Sequence, residues 1–131
     1  MKRFLIDSIS AVTFEMQGEI VITGSHGGSS AAKLALAHPP GLAVFNDAGV
    51  GRDDAGIRGL AILQSAGVAA CTVSHSSARI GEASSTLQNG TISHANSLAM
   101  ARGIVAGQSC AEAINFFAKA PSDMGKGTEN T

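Results

Sequence analysis

The chain has 131 residues, 44% hydrophobic and 15% charged, which describes one domain able to bury about two-thirds of its unfolded surface and excludes a disordered chain. Nine Lys and Arg against ten Asp and Glu leave a net charge of −1, without the basic excess that phosphate-backbone binding draws on, so nucleic acid is not an expected partner. With no Trp or Tyr and five Phe, the core must be Ala, Val, Ile and Leu packed around small residues, 16 glycines among them.

Residues 4–14, with β-branched Ile6, Ile9, Val12 and Thr13, predict a strand or a pair of short strands. The β-branched run 19–23, closed by Gly24, predicts a buried strand. A glycine-rich turn follows, and Ser29 or Ser30 caps a helix over 31–37 that His38, Pro39, Pro40 and Gly41 stop. Residues 42–45 are a second short apolar run. Asp53 then caps a helix over 54–66, with Gly67 as its left-handed terminator. The third run is 68–73. Two consecutive βα units with short links favour a parallel sheet.

Beyond His75 the pattern changes. Residues 84–87 and 91–93 flank Asn89 and Gly90, a signal for a two-residue hairpin turn. Residues 94–102 read as a helix ended by Gly103, and Ser109 with Glu112 forms a capping box for a last helix ending before Pro121. The expected fold is a small three-layer α/β domain over residues 1–120: a mostly parallel sheet built from consecutive βα units, a short β-hairpin and C-terminal helices. Residues 121–131 are expected to be a flexible C-terminal tail.

Cys71 and Cys110 match no zinc or CxxC spacing and are expected to be reduced and buried. The first residues are interrupted by Asp7 and lack a small-residue cleavage site, which argues against a signal peptide, and no run reaches the roughly 18 apolar residues of a membrane span. The expectation is a cytoplasmic protein with no membrane partner.

Each of the three apolar runs ends in residues capable of chemistry. The first delivers Ser25, His26, Gly27 and Gly28, the second Asn46 and Asp47, the third Ser74 and His75. If the runs are neighbouring parallel strands, these tips share the sheet edge where open α/β sheets bind ligands. His26 and His75 are the candidate acid–base groups, since imidazole titrates near neutral pH, and Asp47 is placed to orient either of them. Ser25, Gly27, Gly28 and Ser29 form a strand-to-helix turn suited to a carboxylate or phosphate. The turn lacks the Gly-Lys-Ser/Thr of a phosphate loop and the third glycine of a dinucleotide fingerprint.

Asn46, Arg52, Ser76 and Arg79 complete the candidate substrate contacts, the arginines as bidentate clamps, with a salt bridge as the alternative for each. Asp47, Asp53 and Asp54 with the two histidines leave room for a divalent metal, although no cofactor is called for. His94 is expected to cap the helix it opens. The order of Ser25, His26 and Gly27, then Asn46, Asp47, Ala48 and Gly49, is faintly similar to the His-Gly and Ala-Cys-Gly placement of caspase-like cysteine peptidases over residues 20–51. Asp47 and Ala48 stand where the nucleophilic cysteine belongs, which removes that chemistry and any family assignment.

The resulting expectation is a small enzyme using His and Asp acid–base chemistry on a compact polar or anionic molecule, a hydrolase before a lyase or isomerase. The alternative is a non-catalytic anion-binding, ligand-binding or regulatory subunit. The Ala-rich helices and the pair Phe116 and Phe117 favour a homo-oligomer.

Overall fold

The computed structural model describes residues 1–120, and the tail expected at 121–131 lies outside them. Five strands form one sheet in chain order: β1 (Arg3–Ile6), β2 (Ile20–His26), β3 (Leu42–Asn46), β4 (Ala69–Val73) and β5 (Ile92–Ala95). The first four run parallel and β5 pairs antiparallel to β4. This is the expected mostly parallel α/β architecture.

Strands β2 to β4 are buried along nearly their whole length, because helices cover both sides. Helices α1 (Ser29–Ala35) and α2 (Gly59–Ser65), with the 3-10 turn Ile9–Ala11, cover one face, where Val21, Ala43, Phe45 and Ala70 meet Ala32, Ala35, Leu60 and Leu63. On the other face Ile20, Ile22, Leu42, Val44 and Cys71 meet Ala99 of α4 (Ser97–Met100) and Ile114 and Phe117 of α5 (Cys110–Lys119). Helix α3 (Ala83–Asn89) lies against β2, where the Thr86 hydroxyl donates to the Thr23 carbonyl at 2.9 Å. Close approach of α2 to the turn before α1 requires Gly59, since a Cβ there would overlap the Gly28 carbonyl oxygen and lie 3.1 Å from the Ala32 Cβ.

Several elements differ from expectation. β1 has four residues, and the rest of 4–14 holds two 3-10 turns, Ile9–Ala11 and Phe14–Met16. The hairpin at Asn89 and Gly90 is replaced by the end of α3. Gly90 has an ordinary extended backbone (φ −67°), and it is glycine because a Cβ would come within 2.6 Å of Val73 Cγ1. The helix expected from residue 54 starts at Gly59, because Asp53 and Asp54 take left-handed conformations (φ 55° and 59°) in the turn Arg52–Asp54 instead of capping.

The helix expected from His94 is preceded by β5. Asn96 caps it instead, its Oδ1 accepting Ala99 N–H at 3.1 Å, while Ser109 opens α5 and Gly67 follows the end of α2 as expected. Among the described residues no helix is long and apolar enough to cross a membrane.

Candidate functional site

Register brings the tips together. His26 lies opposite Asn46, and Asn46 opposite Val73, so the residues that follow β3 and β4 are neighbours. Asn46 is fully buried and structural: its amide donates to the Ala78 carbonyl at 3.2 Å and its Oδ1 accepts Ala48 N–H at 2.8 Å.

Asp47 is the centre of the cluster. Its side chain is 6% exposed, and Oδ1 accepts the backbone N–H groups of Gly49 (2.8 Å) and His75 (3.0 Å), with His75 Nδ1 at 3.5 Å. Burial alone raises the carboxyl's pKa. Hydrogen bonds from Gly49, the Ser93 hydroxyl and His75, with the charge of the imidazole, outweigh that effect and hold it below its ordinary value. His75 itself is 62% exposed, so a buried carboxylate faces an imidazole that meets solvent.

The loop that leaves Asp47 is unusual. Ala48, Gly49, Val50 and Gly51 all have positive φ (51°, 78°, 67° and 74°), a conformation costly for Val50, which is β-branched. Hydrogen bonds hold it: Val50 N–H reaches the Asp47 carbonyl at 2.6 Å, and Gly56 N–H reaches the Val50 carbonyl at 2.7 Å. Gly56 is obligatory, because a Cβ would overlap the Asp47 carbonyl oxygen. Gly49 lies 3.5 Å, measured from where its Cβ would be, from the His75 ring, so the loop is one wall of the imidazole's surroundings.

His26 is exposed and is not brought to the Asp47 carboxylate. Its Nδ1 accepts Gly28 N–H at 3.2 Å, and it lines a hollow of about 240 Å³ with Ala48, Val50, Gly51, Ala55 and Gly56, a lining that includes neither Asp47 nor His75. The turn beside it uses its own polar groups. Gly27 N–H donates to the Asn46 carbonyl and Gly28 N–H to His26, while Ser25 Oγ accepts Ile9 N–H at 2.9 Å. Both glycines are needed for close contact, a Cβ on either coming within 2.8 Å of a carbonyl oxygen of the 55–56 segment. The anion cradle expected there is therefore occupied by internal hydrogen bonds at Gly27 and Gly28. Ser29 is the first residue of α1.

Arg52 lies exposed in its 3-10 turn, and Arg79 forms a salt bridge with Glu82 at 3.4 Å, the alternative to a substrate clamp. Ser76 is exposed and donates to Ser74 Oγ at 3.4 Å. Among the described residues no three His, Cys, Asp or Glu side chains gather to hold a metal ion. Cys71 and Cys110 are free and buried, and burial pushes the Cys110 thiol up to about 12 and Cys71 upward as well, so neither supplies a thiolate.

Sequence reasoning missed Ser93. Thr72 pairs with His94 and Val73 with Ile92, so Ser93 is the extra residue of a bulge, and its hydroxyl lies 2.9 Å from Thr72 Oγ1 while acting on Asp47. A bulge in a four-residue edge strand leaves no periodicity from which to read it. Comparison of the chain with protein-family models, with curated proteins and with solved structures finds no match.

Proposed function

We propose that the chain is a small acid–base enzyme, a hydrolase of compact polar molecules, in which His75 moves the proton and Asp47 orients the imidazole. The observation that supports this reading is the pairing itself: an ionised carboxylate, 6% exposed and fixed by two backbone N–H groups, 3.5 Å from the Nδ1 of an imidazole that is 62% exposed. In this reading the 3.5 Å separation shortens to a hydrogen bond as substrate engages the imidazole.

In the proposed step Asp47 accepts from Nδ1–H, leaving Nε2 free to take a proton from water as its oxygen bonds to an electrophilic carbon of the substrate. The imidazolium then returns that proton to the leaving group as its bond to the carbon breaks, and the carboxylate stays ionised throughout. The same dyad supports proton abstraction, so lyase or isomerase chemistry is told apart by the product. Free buried cysteines suit a reducing compartment, and the cytoplasm is the proposed location.

The test is turnover of a panel of small esters, lactones, amides, phosphate monoesters and hydroxy acids, with products read by NMR. His75→Ala is expected to lower turnover about 100-fold or more, the usual worth of a positioned acid–base group. Undiminished turnover in that variant refutes the proposal. A second reading, binding without turnover, is favoured by the hollow at His26, whose lining holds no second titratable group. Thermal stabilisation by a panel member without product would favour it.

A further inference from the structure

On the α1 and α2 face two helices cover a five-stranded sheet, and the corner between the flank of α2 and the edge strand β5 stays open. The hollow there measures about 550 Å³, inside the roughly 300–1,000 Å³ range of small-molecule sites. Ile57, Leu60 and Met100 give it an apolar floor, Asp53, Asp54 and Arg58 stand around it, and His94 forms part of its wall. The bulge at Ser93 sets this up. It turns Ser93 toward Thr72 and leaves the next residue, His94, facing α2.

The chemistry follows from one atom. His94 Nδ1 is buried and has no hydrogen-bond partner among the described residues. A buried N–H without an acceptor is rarer than an under-used lone pair, which favours the tautomer with its proton on Nε2, a donor that His94 can offer to the hollow it lines. Two carboxylates stand nearby against one guanidinium, and that guanidinium already donates to the Asp53 carbonyl. The balance disfavours an anion.

We infer that this hollow binds a compact molecule with an apolar body and an uncharged carbonyl-type oxygen, an amide, ketone or ester, which accepts the His94 Nε2–H. The inference goes beyond the Asp47–His75 reading and holds whether or not His75 turns anything over.

The test is an NMR shift titration of the full chain with benzamide, toluene and sodium benzoate, which share a ring and differ in the group offered to His94. Benzamide is expected to bind roughly threefold to tenfold tighter than toluene, the worth of one hydrogen bond, and tighter than benzoate. The amides of Leu60, Ala61 and Ala95 should report it, with the His94 ring proton found on Nε2. His94→Phe should erase the preference over toluene while toluene still binds. Asp53→Asn with Asp54→Asn, changes to a residue at ease with positive φ, should improve benzoate alone.

Ala61 is exposed on α2, so Ala61→Phe should fill the hollow and remove all three probes without unfolding the chain. Equal binding of benzamide and toluene, benzoate as the tightest probe, an unchanged preference in His94→Phe, or no shifts at millimolar probe would each overturn the inference. Sedimentation showing a dimer that buries these residues would overturn it too, by giving the corner a second copy as its occupant.

Discussion

Removing the Asp47 carboxylate should cost stability as well as activity, by an amount the structure sets. In Asp47→Ala the N–H groups of Gly49 and His75 lose the acceptor they share at 2.8 and 3.0 Å, in a place where the side chain is 6% exposed and water is a poor substitute. Losing the acceptor of a buried donor costs about 1–3 kcal/mol; these two bonds are part-buried, so about 1–2 kcal/mol each, or about 2–4 kcal/mol for the pair, is expected. With a urea dependence of about 2 kcal/mol per molar, the midpoint should fall by about 1–2 M. Asp47→Asn keeps an acceptor oxygen and loses only charge, so about 1–2 kcal/mol is expected.

The pH dependence has a definite sign. Asp47 is held below the ordinary 3.8, its hydrogen bonds overcoming its burial, so its contribution is complete above the unfolded-state pKa and disappears as pH falls through the folded-state value. The stability difference between wild type and Asp47→Asn should therefore be constant at neutral pH and shrink below about pH 4. Urea melts of the three proteins at pH 7 and at acid pH decide the matter. A loss under about 1 kcal/mol for Asp47→Ala, or an Asn variant as damaged as the Ala variant, would show that the carboxylate does not hold this loop.

Asn96 supports four backbone groups, accepting from Ala70 and Ala99 and donating to Leu60 and Val68, so Asn96→Ala should destabilise by about 3–5 kcal/mol in a denaturant melt; a loss within error would contradict those bonds. Gly56→Ala must displace the Asp47 carbonyl, and it should lower the thermal midpoint and abolish the His75 chemistry together, whereas unchanged melting would mean the loop has another conformation. Val50→Gly relieves a β-branched residue at φ 67°, and a gain of up to about 1 kcal/mol is expected, with a loss arguing that the valine's packing outweighs its strain.

Much of the fold around the candidate site was legible because it depends on the strands buried on both faces. Ile20, Val21 and Ile22, Leu42 to Phe45, and Ala69 to Val73 are continuous apolar runs, and continuity of that kind survives any detail of packing. Their polar ends then had to meet, and Asp47 and His75 do. His26 did not follow, because β2 carries extra residues between Ile22 and His26 relative to β3, which re-aims its tip.

The region after His75 resisted reading because tertiary contacts there overrule local preference. Asn89 and Gly90 carry a turn signal, yet the glycine is demanded by the Thr86 carbonyl of the α3 turn before it and by Val73, a residue distant in the chain. The roles of Ser93 and His94 depend on pairing with Thr72, which no local pattern announces.

Both helical crossovers before β4 lie on one face of the sheet, so the opposite face is roofed only by residues from Ala78 onward. During synthesis Ile20, Ile22, Leu42 and Val44 therefore emerge long before anything can shield them. An incomplete chain offers an adhesive wall to its neighbours until α5 docks Phe117 on it.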